Sequence, residues 1–372
     1  MSITQTTSNS LWQRAYRQFS QALVNSDSLQ HYVEPLFQPF TQWGGFSQQR
    51  AQLEAIRWES DQVYTLVLRP NKTWQGFAAG QFVELGVEYN GARTLRCFSI
   101  SSSPEQFQRE GTIELSIRVQ PEGKITPWLP QALQFSQSIG LSQAMGDFVI
   151  EDAHKKHKRL MIAGGSGITP FRSMLTQACA DSDCTDTVLV YYASKAGEHL
   201  FADALNEIAQ NTPSVRVVLL DTERHGRLQA SHLQQHCPDF CDRDSYLCGP
   251  SGLIRGARDL LADWGVADDQ VHFELFGSAP VDVDSADAGG RVQLRQSGKS
   301  IQADGSRSLL DEAESVGARP QSGCRIGVCH QCKCRKTSGV VLNTRTGARS
   351  DSGPEDIQLC VSVPLGDVEI DA

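Results

Sequence analysis

The chain has 372 residues, of which 40% are hydrophobic and 21% are charged, and its formal net charge is −9. That length can supply two or three domains with ordinary apolar cores. An acidic chain lacks the basic face with which nucleic-acid-binding proteins neutralise phosphates, so we expect no nucleic-acid partner. No run approaches the roughly 18 consecutive apolar residues of a transmembrane helix, and the polar start does not resemble a signal peptide. These features predict a cytoplasmic protein, and we expect a monomer.

The first 48 residues form a separate N-terminal segment. Trp12, Tyr16 and Phe19 recur at helical spacing, which predicts an amphipathic helix. Such a helix usually packs against a neighbouring domain of its own chain. The alternative is a peripheral contact of residues 10–24 with the inner face of a membrane.

Residues 49–152 have the pattern of short antiparallel strands. Ile113, Leu115 and Ile117 alternate with polar residues, which is the period-two pattern of a strand. Several such runs are separated by turn residues, and helical periodicity is weak. The segment therefore predicts a small antiparallel β-barrel.

Residues 153–277 follow a different pattern, in which apolar runs alternate with helical segments. This alternation predicts an α/β domain with a doubly wound parallel sheet. The run RLMIAGG leads from a buried strand into a glycine-rich turn and a helix. Free amides at such a helix end favour a pyrophosphate, so the turn predicts dinucleotide binding. The residues that we assign to this turn are Gly164, Gly165, Gly167, Thr169, expected to cap the helix, and Pro170, expected at its first position.

The last third of the chain contains a linker and a compact domain. Residues 278–290 are small and acidic without an apolar period, which predicts a flexible linker. Residues 291–372 combine a strand, an amphipathic helix, a cysteine-rich loop and further strands. This order predicts an α+β domain of the β-grasp type.

The cysteine-rich loop carries the most specific motif. Cys324, Cys329 and Cys332 have the spacing Cys-x4-Cys-x2-Cys and are followed by Cys360, which is the plant-type arrangement whose four thiolates hold one 2Fe-2S cluster. A structural zinc site is the alternative, although such sites favour paired Cys-x2-Cys motifs. Cys334 is not needed by either ligand set and is expected to be a buried free thiol.

Arg96-Cys97-Phe98-Ser99 resembles the Arg-x-Tyr/Phe-Ser signature of the ferredoxin-NADP reductase superfamily. By that resemblance, Arg96 contacts the flavin phosphate, Phe98 lies against the isoalloxazine ring and Ser99 lies near its N5 atom. Gly123 and Thr126 match, more loosely, the second flavin-phosphate turn of the family. The expected flavin is FAD, with FMN as the alternative.

Two later triplets resemble the same family. Cys248-Gly249-Pro250 is similar to the turn that places a thiol beside the nicotinamide, and Glu274-Leu275-Phe276 is similar to the closing Glu-x-aromatic motif. The resemblance implies that Gly249 and Pro250 bind the nicotinamide nucleotide and that Phe276 covers the other flavin face. It assigns hydride transfer to a slot formed by Ser99, Cys248 and Glu274.

The resemblance covers about residues 50–372 and implies a flavin reductase with a fused C-terminal plant-type ferredoxin. Among such reductases, residues 143–148 and 164–170 and the N-terminal extension most resemble the electron-transfer partners of acyl-CoA desaturases. One departure is His330, where the family loop usually has a small residue, often glycine.

The nucleotide preference depends on the segment after the strand VRVVLL. Arg224 and Arg227 lie where family members hold the 2′-phosphate of NADPH. Asp221 and Glu223 are the acidic residues that could instead favour NADH. We expect NADPH as the electron donor.

A reduced nicotinamide delivers two electrons as hydride, whereas a plant-type cluster accepts one at a time, so a flavin is expected between them. The external acceptor is expected to be a membrane acyl desaturase, and a soluble oxygenase is the alternative. A different class, a zinc-bound or redox-sensing module without electron transfer, stays open. His236-Cys237-x3-Cys241 could also bind metal, but we interpret it as a loop with free thiols.

Overall fold

The computed structural model describes residues 49–372 except 90, 91, 122, 124, 136, 137, 152, 153, 155, 156, 184, 276–287, 324, 326, 328 and 329. The predicted N-terminal helix and its possible membrane contact, residues 10–24, lie outside the described residues. So does most of the predicted linker. No helix in the described part of the chain is long and apolar enough to cross a membrane.

The first sheet is antiparallel and has the strand order β4-β3-β6-β1-β2-β5. A bridge between Ile100 and Leu115 joins the end of β4 to β5, which brings the first and last strands together. Its elements are β1 (Arg50–Ser60), β2 (Val63–Pro70), β3 (Phe82–Tyr89), β4 (Ala92–Ser99), α1 (Pro104–Glu110), β5 (Ile113–Arg118), α2 (Leu129–Phe135) and β6 (Ser138–Leu141). The predicted antiparallel β-barrel is confirmed.

Strand β5 is buried on both of its faces, although its sequence alternates like a half-exposed strand. Ile113, Leu115 and Ile117 lie in the barrel core, as their spacing predicts. Glu114 and Ser116 are also buried, with 3% and 6% exposure. The polar face of this strand is therefore covered by other parts of the molecule.

The second sheet is parallel and has the order β11-β10-β7-β8-β9. The chain crosses from one half of the sheet to the other between β9 and β10, so the carboxyl ends of β7 and β10 frame a topological switch point, where ligands bind in such sheets. Its elements are β7 (Arg159–Gly164), α3 (Ile168–Ala180), β8 (Thr187–Ala193), α4 (Ala202–Asn211), β9 (Val215–Asp221), α5 (Thr222–His225), α6 (Ala230–His236), β10 (Asp244–Gly249), α7 (Ser251–Asp263) and β11 (Val271–Leu275).

The third sheet is mixed and has the order β13-β12-β16-β14-β15, with β12 and β16 parallel. Ala288 and Gly289 bridge to Leu365, so the last residues of the predicted linker already belong to this sheet. The helix buries Leu309 and Leu310 in the domain core. The elements are β12 (Gly290–Leu294), β13 (Lys299–Ala303), α8 (Leu309–Ser315), β14 (Lys333–Asn343), β15 (Glu355–Gln358) and β16 (Ser362–Ile370).

The barrel and the parallel sheet are joined by a polar contact at helix α3. Arg172 Nη1 donates a hydrogen bond to Glu114 Oε2 at 2.7 Å, and Ser173 Oγ donates to the carbonyl oxygen of Ser102 at 2.6 Å. Arg57 Nη2 donates to the other oxygen of Glu114 at 2.7 Å. This network accounts for the burial of Glu114, whereas the Ser116 hydroxyl is paired within the barrel with Thr65 and Ser101.

Candidate functional site

A cleft of about 560 Å³ lies where the barrel, the parallel sheet and the cysteine loop meet. It collects side chains from the end of β4, the turn after β7, the end of β11 and the third domain. The predicted site residues that line it are Arg96, Phe98, Ser99, Gly123, Thr126, Gly164, Gly165, Thr169, Pro250 and Glu274. Phe276, predicted to cover the flavin, lies outside the described residues.

Ser99 and Glu274 make the central contact across this cleft. Ser99 ends β4 and Glu274 lies near the end of β11, so they are 175 residues apart in the chain. Ser99 Oγ donates a hydrogen bond to Glu274 Oε2 at 3.2 Å. The two sheets therefore bring a hydroxyl group and a carboxyl group together at one wall of the cleft.

The carboxyl group of Glu274 has a strongly shifted proton affinity. Burial raises its pKa to about 7, against the opposing effects of the Ser99 hydrogen bond and the Arg345 guanidinium. Near neutral pH this group can therefore hold or release a proton, as acid–base groups in active sites do.

Three guanidinium groups line the same cleft: those of Arg96, Arg118 and Arg325. Burial lowers the pKa of Arg96, and the nearby Arg325 lowers it further. The Nε atoms of Arg118 and Arg325 are buried and have no hydrogen-bond partner among the described residues. Arg325 is also paired with Glu314 and Asp311, so Arg96 and Arg118 are the groups best placed for an anionic ligand such as a pyrophosphate. This cleft fits the phosphates of a flavin or a dinucleotide.

Arg118 also lines a neighbouring cavity of about 760 Å³, which shares Gly165 and Ser166 with the cleft. The glycine turn is therefore open to two connected spaces. An elongated ligand such as a dinucleotide could extend from one to the other past the Arg118 side chain.

The glycine turn differs locally from the prediction. Residues Gly165–Gly167 form a 3-10 turn, and helix α3 begins at Ile168 with Gly167 before it and no side-chain cap. Thr169 Oγ1 donates to the carbonyl oxygen of Ser166 at 3.0 Å instead of capping the helix. Pro170 is consequently the third helical residue, where its missing amide still costs no intrahelical hydrogen bond.

The glycines of this region permit close approach between strands β7 and β10. A Cβ atom on Gly167 would lie 2.3 Å from the Cys248 carbonyl oxygen, and one on Gly249 would lie 3.0 Å from the backbone of Gly164. The Cys248 side chain is fully buried and is not part of the cleft wall. Burial, together with Glu274, raises the pKa of its thiol well above the usual value, so the thiol is protonated at neutral pH.

Two of the four predicted cluster ligands fall within the described residues. Cys332 and Cys360 are 2% and 4% exposed, and their Sγ atoms are 3.1 Å apart. Cys324 and Cys329 lie outside the described residues. The separation is too long for a disulfide, and a close buried sulfur pair fits the thiolate ligands of an iron-sulfur cluster.

The described part of the cysteine loop contains three residues in left-handed backbone conformations, Arg325, Gly327 and His330. Gly327 has φ +78°, and a Cβ atom there would lie 2.9 Å from a methyl group of Val361. His330 has φ 56°, a conformation that glycine adopts without strain. That conformation explains physically why a glycine is common at the position of His330.

A further cavity of about 290 Å³ lies between the cleft and the cysteine loop. Glu274 and Phe82 line it from the side of the cleft, and His330 and Arg345 line it from the third domain. Arg345 Nη1 donates to the carbonyl oxygen of Gly327 at 3.0 Å. The cysteine loop is therefore adjacent to the cleft, separated by side chains and a small cavity.

The residues predicted to select the nucleotide follow β9. The side chains of Arg224 and Arg227 are exposed. Asp221 is only 5% exposed, and its Oδ1 atom accepts a hydrogen bond from the Arg224 backbone amide at 3.0 Å. The carboxylate of Asp221 therefore serves as a helix cap.

The remaining cysteines have partners of their own. Cys237 Sγ donates to Asp239 Oδ1 at 3.8 Å, and Cys241 Sγ donates to the carbonyl oxygen of Trp264 at 3.9 Å. Burial raises the pKa of Cys334 to about 11. Cys334, which was predicted to be a buried free thiol, is only partly buried. A thiol with a raised pKa is protonated at neutral pH.

Sequence reasoning missed Arg118 and Arg325. Arg118 occupies a polar position in the alternating strand β5, and only its place at the strand end distinguishes it from a solvated charge. Arg325 directly follows Cys324, and its side chain reaches the cleft only because the third domain packs there.

Comparison with known proteins agrees with the three-sheet architecture. Family models match residues 51–150 (oxidoreductase FAD-binding domain), 161–259 (oxidoreductase NAD-binding domain) and 292–365 (2Fe-2S iron-sulfur cluster binding domain). An NADPH oxidoreductase of Mycobacterium tuberculosis is 31% identical, over 87% of this chain and 84% of that protein. The glycine betaine monooxygenase reductase subunit of Chromohalobacter salexigens is 27% identical, over 79% and 87%.

Among solved structures, phthalate dioxygenase reductase has the same fold, with a TM-score of 0.57 and 22% identity over 87% of this chain and 97% of that chain. The chain belongs to the ferredoxin-NADP reductase superfamily, in the group with a fused C-terminal 2Fe-2S ferredoxin domain. It is an NAD(P)H-dependent electron-transfer oxidoreductase that uses FAD and a 2Fe-2S cluster.

Proposed function

We propose that the protein takes electrons from NADPH and passes them through the cleft and the cysteine loop to an external enzyme, with a membrane acyl desaturase as the acceptor. The observation that supports the route is the cavity lined by both Glu274 and His330, because it lies between the proposed flavin site and the proposed cluster. A bound flavin supplies the exchange between two-electron hydride chemistry and one-electron cluster chemistry.

The side chains of the cleft have separate roles in this proposal. Arg96, with Gly123 and Thr126, binds the flavin phosphates, and Phe98 packs against the ring. Ser99 and Glu274 form a hydrogen-bonded pair that holds a proton beside the reacting edge. Because the pKa of Glu274 is about 7, the pair can gain or lose a proton when the charge in the cleft changes.

The nucleotide is held on the opposite side of the cleft. The turn Gly164–Gly167 and Arg118 bind its pyrophosphate, Gly249 lets β10 approach the turn, and Pro250 lines the nicotinamide end. Cys248 acts from behind this wall as a buried, protonated thiol that supports the turn. Cys324, Cys329, Cys332 and Cys360 hold the cluster.

NADPH is preferred over NADH in this proposal because of the groups after β9. An acidic residue in this region selects NADH by accepting hydrogen bonds from the ribose 2′-hydroxyl. Asp221 already accepts from a backbone amide, whereas Arg224 and Arg227 are exposed and can bind a 2′-phosphate. Replacing both arginines with glutamine should lower kcat/KM for NADPH by about tenfold or more and leave the NADH value unchanged. An equal loss for both nucleotides would argue against this assignment.

The electron route is tested by anaerobic reduction with NADPH. The wild-type protein should bleach its flavin absorbance and give the electron paramagnetic resonance signal of a reduced 2Fe-2S cluster. Cys360→Ser should lose that signal and the reduction of cytochrome c, yet retain NADPH-dependent ferricyanide reduction. Cys241→Ser is the matched control and should behave as wild type. A Cys360→Ser variant that still reduces cytochrome c at the wild-type rate would rule out the cluster as the exit.

A soluble monooxygenase is the second candidate acceptor, because relatives of this chain are named as monooxygenase reductase subunits. The desaturase proposal rests on the resemblance of residues 143–148 and 164–170 and of the N-terminal extension. Purified protein should support acyl-CoA desaturation by desaturase-containing membranes. Deletion of residues 1–48 should reduce that coupling and spare ferricyanide reduction. Coupling to a soluble monooxygenase alone would favour the second candidate.

A further inference from the structure

Three histidines and an aspartate meet at the amino end of the parallel sheet, and one of them, His272, also lines the cavity of about 290 Å³ that reaches Glu274. Asp244 is the first residue of β10, and His272 is the second residue of β11. His154 and His157 lie in the segment that leads into β7. Three separate stretches of chain therefore supply side chains to one place.

The donor atoms of this group are close together. His154 Nδ1 lies 2.6 Å from Asp244 Oδ2, and His157 Nδ1 lies 2.9 Å from the same oxygen. One donor atom from each of His154, Asp244 and His272 lies within 4.8 Å of the others. The Asp244 side chain is only 3% exposed, so its carboxylate needs compensation from these neighbours.

Hydrogen bonding within the group does not satisfy all of its members. His272 Nε2 is buried and has no hydrogen-bond partner among the described residues, and the same holds for the hydroxyl oxygen of Tyr246. Tyr246 stacks on the His272 ring with centroids 4.7 Å apart, which fixes the orientation of that ring. A buried imidazole nitrogen without a partner is costly in a purely structural cluster. The free nitrogen of His272 is available as a metal ligand.

We propose that His154, His157, Asp244 and His272 form a binding site for one zinc-type divalent cation. Imidazole nitrogens and one carboxylate oxygen are preferred zinc donors, and four of them complete a tetrahedral structural site. Donors about 2.0–2.1 Å from zinc are about 3.3 Å apart, so the rings of His154 and His157 must move away from Asp244 Oδ2 when the ion binds. His157, which is outside the 4.8 Å set, must also turn towards the ion to become the fourth donor.

The ion would join the segment between the barrel and β7 to two strands of the parallel sheet. The backbone already holds these parts in place, since Asp244 N donates to the carbonyl oxygen of Lys158 at 2.9 Å. This site shares no ligand with the 2Fe-2S cluster and goes beyond the electron-transfer function.

The test uses iron-replete, flavin-loaded full-length protein that is equilibrated with zinc chloride and then dialysed against a weak chelator. Zinc, iron and flavin are measured on the same samples. Wild type should retain about one zinc per chain with an unchanged iron content. His272→Gln and Asp244→Asn should retain essentially none, and their iron and flavin contents show whether the protein has folded.

His157→Gln is a second test variant that is expected to fold normally, because the His157 side chain is 56% exposed. This variant should bind zinc about tenfold or more weakly, measured by competition with a chromophoric chelator. His236→Gln, at the end of α6, is the matched control and should bind like wild type. Added zinc should raise the melting temperature of wild type and of His236→Gln, but not that of His272→Gln.

Two results would overturn the site. Wild-type protein with intact cluster that retains no zinc after dialysis has no such site. Zinc that survives His272→Gln, or that disappears with His236→Gln, is bound elsewhere.

Discussion

The carboxyl group of Glu274 is held where a negative charge is poorly solvated, and its pKa is raised from 4.5 to about 7. The folded protein therefore binds this proton more tightly than the unfolded chain does. Stability from this group is largest at acidic pH and declines as the pH rises from about 4.5 to about 7, because ionisation then opposes burial.

We predict that Glu274→Gln becomes relatively more stable than wild type as the pH rises through this window. The amide keeps the shape of the side chain and cannot ionise. The difference in melting temperature, measured by calorimetry in buffers from pH 5 to pH 8, should grow by roughly 2–4 °C in favour of the variant. Glu207→Gln, on the exposed face of α4, should show no such trend. A difference that stays constant with pH would mean that Glu274 ionises normally.

At the scale of single residues, the sequence indicates cleft residues that belong to a recognisable motif, but not cleft residues that lie outside one. Ser99 and Glu274 lie in motifs whose order along the chain predicts a shared site, and the structure brings them into contact. Arg118 and Arg325 reach the cleft because separate sheets pack together, and no local pattern carries that information. Thr169 was predicted as a cap, but a 3-10 turn before the helix starts the helix earlier.

At the scale of the elements, the glycine turn after β7 is packed so closely against the backbone of β10 that it leaves no room for a side chain. The turn after β7 packs against the end of β10, where a Cβ atom on Gly167 would lie 2.3 Å from the Cys248 carbonyl oxygen. The contact keeps the two strand ends of the switch point together.

Gly167→Ala should therefore weaken nucleotide binding, because the turn must move away from β10. We expect the KM for NADPH to rise by about tenfold or more, with a lower melting temperature. Gly256→Ala, in α7 with no atom near its Cβ position, is the control and should be neutral or slightly stabilising. Unchanged steady-state kinetics for Gly167→Ala would contradict the close packing of these strands.

The cysteine loop gives a second prediction at this scale. Gly327→Ala places a methyl group against Val361 and strains a backbone with φ +78°. We expect the purified variant to have lost most of its cluster iron and visible cluster absorbance. Gly353→Ala, in the same domain with open space around it, should retain full iron content. Full iron content in Gly327→Ala would show that the loop tolerates a side chain there.

For elements, period-two and strand–helix patterns predicted the sheets well. The burial of β5 on both faces was not predicted, because Glu114 on its polar side is covered by another domain through Arg172. The third sheet also takes residues from the predicted linker, since Ala288 and Gly289 pair with Leu365. Both differences come from contacts between parts of the chain that are distant in sequence.

In the whole molecule, Glu114 couples the barrel to the parallel sheet. Burial by itself would raise its pKa, but the guanidinium groups of Arg172 and Arg57 outweigh this effect and leave the pKa below the usual value. The stability that this carboxylate contributes is therefore present above the normal carboxyl pKa and is lost as the pH falls through the lowered value.

Glu114→Gln should lower the free energy of unfolding by about 1–3 kcal/mol at neutral pH, because two guanidinium groups lose their buried partner. The loss should shrink in acid, where the wild-type carboxylate becomes protonated. A double-mutant cycle with Arg172→Gln, followed by calorimetry, isolates the contact between the two domains. Strictly additive effects of the two substitutions would indicate that this ion pair does not join them.

Arg325 lies one position after Cys324, so a single stretch of backbone serves both the metal centre and the anion-binding wall. Each prosthetic group should therefore help to retain the other: protein prepared under iron limitation should release its yellow cofactor more readily, and the red-brown and yellow colours should fade together during storage.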